Sequence, residues 1–149
     1  MASPVFSVDL KFKDEYRVNH HAIDKQHEQL FLMAGEIINL HLQNRDQSLI
    51  IKKLRSLYTG LEEHFAFEES VMEACGYPEK QVHHNLHQDL LVRTARFLAR
   101  YEAEVISLGD LYGFLHGAIL QQHFLKDDKK FCDYLHGKNL TDMAGCICQ

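Results

Sequence analysis

The sequence predicts an all-α protein, an up-down-up-down antiparallel four-helix bundle with an N-terminal arm, and three observations predict it. Apolar residues recur at three- and four-residue steps in four separate stretches, no stretch alternates as a strand does, and the segments between the stretches are short. Short connections make neighbouring helices antiparallel, and four such helices close a bundle. With 149 residues, 46% of them hydrophobic, the chain has enough material for one domain with a real core and too little for two comfortable ones. The expected organisation is a helical domain over residues 1–138, with residues 1–22 as an arm packed over one end of the bundle, and a tail over residues 139–149.

The first helical stripe runs over residues 23–41 through Ile23, His27, Leu30, Phe31, Ala34, Ile37 and Ile38. Asp24 is placed to cap its free N–H groups. The second, over 49–72, is the most regular: Ile50, Leu54, Leu57, Leu61, Phe65, Val71 and Met72 share a face with His64 and Glu68. The third follows Tyr77-Pro78, a proline suited to a helix start, and carries His83, His87, Leu90, Thr94, Phe97 and Tyr101. The fourth begins near Asp110 and carries Tyr112, His116, Ile119, Leu120, His123, Phe124, Phe131 and Leu135 as far as Gly137, a C-cap. Asn44–Asp46, Cys75–Pro78 and Ser107–Asp110 punctuate the four.

A formal net charge of −5 without a cluster of Lys and Arg argues against a nucleic-acid or anionic-lipid partner. No apolar run has the length of a membrane span, and the first residues lack the basic start and long apolar stretch of a signal peptide. A soluble, cytoplasmic monomer is expected. The four cysteines, Cys75, Cys132, Cys146 and Cys148, are too few and too unevenly spaced for a disulfide framework, so reduced, mostly structural thiols are expected. Cys146 and Cys148 fall in the tail.

Chemistry enters through the polar residues on the apolar stripes. Positions four apart on a helix lie about 40° apart in projection, so His64/Glu68 and His83/His87 can each turn two ligand atoms to one centre. His27 and His123 join them from the other two helices. Buried imidazoles need partners that a bundle core lacks, and a metal supplies them. Imidazole and carboxylate without thiolate suit iron, manganese or zinc, and two carboxylates among five imidazoles suit a bridged pair of irons. No histidine has a glutamate three residues before it, as a ferritin-like site needs, and no His-Glu-x-x-His is present. Helical geometry alone favours Asp127 as the last ligand, since Asp128 lies about 140° from His123 on an ideal helix. A local π-type widening would bring Asp128 round instead.

Ile23-Asp-Lys-Gln-His27, His64-Phe-Ala-Phe-Glu-Glu-Ser-Val-Met72, Tyr77-Pro78, His83-x-x-x-His87 and His123-Phe-Leu-Lys-Asp-Asp128 together resemble a bacterial hemerythrin, over about residues 12–136. The resemblance implies that His83, His87 and His123 bind one iron, that His27 and His64 bind the other, and that Glu68 and Asp128 bridge them with an oxo or hydroxo group. It chooses Asp128 over Asp127, which is left to solvent or to helix capping. It implies O2 as the ligand of an open position beside the two-imidazole iron, taken up with two electrons and released reversibly. Storage, delivery or sensing of O2 is the implied function, and the protein is a binder rather than an enzyme. Sensing within a larger signalling protein, with a further domain as partner, and peroxide or nitric oxide reduction at the same irons are the alternatives. By position relative to the ligands, Leu30, Phe65, Ile119, Leu120 and Phe124 wall the O2 pocket and keep it dry. Ile119 and Phe12 depart from the family pattern, where tryptophan is common. No spare carboxylate is expected beside the ligands. Of the remaining histidines, His20, His21, His41, His84 and His136 are read as surface or helix-end residues, and His116 as a core or outer hydrogen-bonding residue.

Overall fold

A computed structural model of the chain describes residues 11–44, 46–104 and 106–137. The tail with Cys146 and Cys148 and the start of the arm lie outside the described residues. The protein is all-helical, with four helical rods packed together and no strand among the described residues.

A short 3₁₀ turn at Asp14–Tyr16 precedes α1, His21–Leu42. The arm is held by Tyr16, stacked on Phe31 of α1 at 5.3 Å, and by Phe12, edge-on to the same ring. Its other tie corrects the expected role of Asp24. His20 Nδ1, not Asp24, accepts the Ile23 N–H at the start of α1, and the buried Asp24 carboxylate accepts the Val18 N–H at 2.8 Å. Asp24 therefore fastens the arm to the helix instead of capping it.

Helix α2, Gln47–Cys75, is capped by Asp46, whose side chain accepts the Ser48 N–H. It ends at Gly76, with φ at +65° in the left-handed region that glycine enters without a Cβ penalty. There the Tyr77 N–H donates back to the Met72 carbonyl, closing the last turn. Helix α3, Lys80–Ala103, begins two residues after Pro78, which belongs to the preceding turn and not to the helix. Cys75 is disulfide-bonded, against the expectation of reduced thiols.

The fourth rod differs most from expectation. Ser107 accepts the Asp110 N–H and starts a brief α4, Leu108–Tyr112. A π-helical segment of 16 residues follows, Gly113–Asp128, before α5, Lys129–His136, closes at Gly137. The apolar period of the sequence reads the whole rod as one α-helix, because a π-helix buries much the same residues and changes mainly which positions stack on one another. The i→i+5 pattern is rare and tends to occur at functional sites.

Two apolar clusters fill the interior. The larger joins Leu30, Phe31, Leu61, Phe65, Leu90, Ile119, Leu120, Phe124 and others, and the smaller joins Val18, Ile23, Val71, Met72, Tyr77, Phe131 and Leu135. The polar layer of His27, His64, Glu68, His83, His87, His123 and Asp128 is buried, and on α1, α2 and the fourth rod it lies between the two clusters in sequence. Helices α1 and α2 and the fourth rod each pass from one apolar cluster through the polar layer to the other, whereas α3 runs from the polar layer into the larger cluster.

Candidate metal centre

The seven polar residues of that layer come from four rods, and helix register brings them together. On α2, His64 and Glu68 stand one turn apart, with His64 Nε2 3.4 Å from Glu68 Oε2. On α3, His83 and His87 repeat that spacing, their rings edge to face at 4.5 Å. On the fourth rod, His123 and Asp128 are five apart, a spacing that the π-helical pattern turns to one side.

The two carboxylates are fully buried, and each offers one oxygen to each half of the layer. Asp128 Oδ2 lies 2.8 Å from His27 Nε2 and 3.2 Å from His64 Nε2, whereas its Oδ1 lies 3.0 Å from His83 Nε2 and 3.2 Å from His123 Nε2. Glu68 divides in the same sense: Oε2 toward His64, and Oε1 at 2.6 Å from His83 Nε2 and 3.4 Å from His87 Nε2. Two overlapping sets result, Glu68, His83, His87, His123 and Asp128 in one and His27, His64, Glu68 and Asp128 in the other. Within each set the ligand atoms lie within 4.8 Å of one another.

Whether these residues fit metal ions is tested by their unmet valences. Both oxygens of Glu68, Nε2 of His87 and Nε2 of His123 are buried with no hydrogen-bond partner despite their close neighbours. Buried acceptors left unpaired are costly, and lone pairs converging from several sides are the arrangement a cation relieves. The donor set of imidazole and carboxylate, without a thiolate, fits iron.

Protonation of the protein groups shows the same excess of negative charge. Burial opposes a charge on His83, yet its hydrogen bond to Asp128 and the close approach of the Glu68 carboxylate outweigh it and raise its pKa to about 10. His123 is likewise raised, with burial overcome by the Asp128 charge. For Asp128, burial favours the neutral acid, but the attraction of His123 and its contacts with His27, His64 and His83 hold it well below the ordinary carboxylate range. His27 is lowered, its burial outweighing the Asp128 contact. Two shared carboxylates attract protons to the imidazoles wherever cations do not take that place.

The backs of the rings carry partners that the sequence reading missed. Gln26 Oε1 lies 2.6 Å from His64 Nδ1, Glu69 Oε2 2.9 Å from His87 Nδ1, and Asp127 Oδ2 3.3 Å from His123 Nδ1. Each is an acceptor, so each ring keeps its proton on Nδ1 and turns the Nε2 lone pair to the centre. Two expectations are thereby corrected. Asp127 is not left to solvent or capping, because the residue before Asp128 on a widened helix falls behind the His123 ring. Spare carboxylates do lie beside the ligands, namely Asp127 and Glu69. Adjacency to Asp128 and Glu68 was the only signal in the sequence, because the ring behind which each lands is set by interhelical packing.

Of the expected pocket wall, Leu30, Phe65, Ile119, Leu120 and Phe124 are all buried in the larger apolar cluster. Two of them seal the layer directly. Phe124 stacks on His27 at 4.1 Å and 11°, and Phe65 stacks on His87 at 3.9 Å and 6°. A groove of about 680 Å³ between α1 and α2 reaches this region from outside, lined by Gln26, Leu30, Gly60 and His64 among others.

The other histidines depart from their surface assignment in part. His20 is buried as the α1 cap, since its ring replaces a shorter capping side chain. His84 is half-buried against Glu69, and His41 Nδ1 meets the Tyr101 hydroxyl at 2.9 Å. His116 stacks on Tyr112 at 4.8 Å. His21 and His136 are exposed. No helix among the described residues is long and apolar enough to cross a membrane.

No protein-family model matches the chain. Among curated proteins it is similar to the Bacteriohemerythrin of Pseudomonas aeruginosa, 27% identical over 124 residues that cover 83% of this chain and 80% of the relative. The Bacteriohemerythrin of Pseudomonas paraeruginosa is 28% identical over the same coverage. That of Campylobacter jejuni is 22% identical over 121 residues, 81% of this chain and 91% of the relative.

Proposed function

We propose that this chain, a member of the hemerythrin-like family, binds O2 reversibly at a carboxylate-bridged pair of non-haem irons. The observation that carries the proposal is the division of the two carboxylates: Asp128 turns one oxygen toward His83 and His123 and the other toward His27 and His64, and Glu68 turns one toward His83 and His87 and the other toward His64. His83, His87 and His123 would hold one iron and His27 and His64 the other, with Glu68 and Asp128 across both. The iron pair with its oxo or hydroxo bridge would supply the two electrons that O2 takes up on binding and returns on release.

The protein's own work is positioning and exclusion. Gln26, Glu69 and Asp127 fix the tautomers of His64, His87 and His123, so none of these three rings has to turn or exchange a proton before it can donate its Nε2 lone pair. Three imidazoles fill one half, whereas two leave room for a small ligand beside His27 and His64. Phe124, stacked on His27, and Leu30 of the same cluster would border that room with apolar surface. Keeping water and protons from O2 there is what makes its release as O2 possible. We infer also that the rods run alternately up and down. Ile23 of the smaller cluster precedes His27 on α1, Val71 of that cluster follows Glu68 on α2, Tyr77 of that cluster stands in the turn before His83 with Leu90 of the larger one after His87, and Phe131 of the smaller follows Asp128 on the fourth rod.

Iron analysis of protein produced with ample iron tests the proposal, with two irons per chain expected. Replacing Glu68 with Ala removes a group common to both ions and is expected to lose the pair together. One iron per chain in the wild type, or two retained in the variant, would speak against it.

A further inference from the structure

The backs of four of the five imidazoles differ in charge. His87 Nδ1 faces the Glu69 carboxylate at 2.9 Å and His123 Nδ1 faces the Asp127 carboxylate at 3.3 Å. Both rings belong to the three-imidazole half. On the other side, His64 Nδ1 faces the neutral amide of Gln26 at 2.6 Å, and His27 Nδ1 is buried with no partner at all. Glu69 is itself held in place by His84, whose ring contacts its other oxygen. Every outer carboxylate in contact with a ligand ring among the described residues therefore serves one half.

We infer that Glu69 and Asp127 make the two halves of the centre unequal, so that the His83/His87/His123 half fills first and holds its ion more tightly. The inference rests on the two-metal reading and adds the order of filling to it. A carboxylate that accepts the Nδ1–H draws that proton away from the ring and leaves Nε2 a stronger donor, while also placing a negative charge behind the ion. An amide oxygen fixes the tautomer without adding charge. Glu68 and Asp128 face both halves and cannot distinguish them. Ligand number also favours the three-imidazole half, so the outer carboxylates have to be tested apart from the ligands. Their isosteric amides do this, because Glu69→Gln and Asp127→Asn keep an oxygen at each ring and remove only the charge. The reciprocal change, Gln26→Glu, puts a carboxylate behind His64 and cannot be imitated by loss of folding.

The experiment is an anaerobic titration of the metal-stripped full chain with Co²⁺, followed by calorimetry and by broadening of the histidine side-chain NMR signals. In the wild type, two separable steps are expected, with the His87 and His123 signals broadened before those of His27 and His64. Glu69→Gln/Asp127→Asn is expected to weaken the first step by about 10- to 100-fold per lost charge and to leave the second unchanged. Gln26→Glu is expected to strengthen the second step alone. Two full steps with unaltered affinities in both variants, or equal weakening of both steps in the double variant, would overturn the inference and leave the two-metal reading intact. A wild type that binds one ion or none would overturn that reading and the inference with it.

Discussion

Asp128 turns its Oδ1 to within 3.2 Å of His123 Nε2 although the two are five positions apart, while Asp127, at the regular helical spacing of four, reaches only the back of the same ring. The π-helical segment Gly113–Asp128 accounts for the exchange. On an ideal α-helix Asp127 would share the face of His123, and Asp128 would point about 140° away. The widened helix sends Asp128 to the centre and Asp127 behind it.

Asp128→Ala is therefore expected to lose both irons, since it removes one oxygen from each half. Asp127→Ala is expected to keep two irons, one of them held about 10- to 100-fold more weakly. Metal analysis after dialysis against a graded chelator series separates the two cases. The reverse pattern would exchange the two roles.

The metal-free protein is expected to lose stability as pH rises from about 6.5 toward 10. His83 has its folded pKa raised to about 10 from an ordinary 6.5, so its stabilising contribution is complete below 6.5 and disappears as pH climbs through the folded value. His123, raised as well, acts in the same sense. On the acid side stability also falls, because Asp128, held low, loses its contribution as pH falls through its folded value, and His27, lowered by burial, favours the unfolded chain below 6.5. Thermal melts of metal-free and iron-loaded protein across pH 6.5–10 provide the check. The metal-free midpoint should fall with pH and the loaded one should not, because ions have replaced the protons. Parallel curves would contradict this assignment of the charge.

How much of this was legible in the chain differs from residue to residue. The stripe from Ile50 to Met72 located α2 within a few residues, and its step of four from His64 to Glu68 survived unchanged, because both follow from the α-helical repeat alone. The same repeat failed between His123 and Asp128, where the backbone departs from it. Gln26, Glu69 and His84 were missed because each meets a residue on a different helix, and interhelical register is not written in any local spacing. Asp24 was misread for a related reason: its partner is the Val18 N–H, six residues earlier on an arm whose path the helical pattern does not describe.

Ile119 lies 1% exposed within the larger cluster. Ile119→Trp is expected to slow spontaneous oxidation of the O2-loaded protein by further restricting water, at a stability cost of about 1–3 kcal/mol for overpacking. Oxidation rates followed optically, alongside thermal melts, measure both. An unchanged or faster oxidation in folded protein would remove Ile119 from the barrier.

Gly60 faces Leu30 across the α1–α2 groove, and a Cβ built on it would sit 3.0 Å from Leu30 Cδ2. Gly60→Val therefore has to push Leu30 aside or narrow the groove that leads to His64. Slower O2 association with an unchanged iron content is the expected result in stopped-flow mixing. If association is unaffected, O2 reaches the centre by another route.

The central claim, reversible O2 binding at a bridged pair of irons, is tested most directly by the optical spectrum of the reduced, iron-loaded protein carried through a cycle of O2 addition and removal. An absorption band in the visible region should appear with O2, disappear when O2 is withdrawn, and return on a second addition, with two irons per chain throughout. No O2-dependent band, or a single irreversible oxidation that consumes O2 without returning it, would contradict the account.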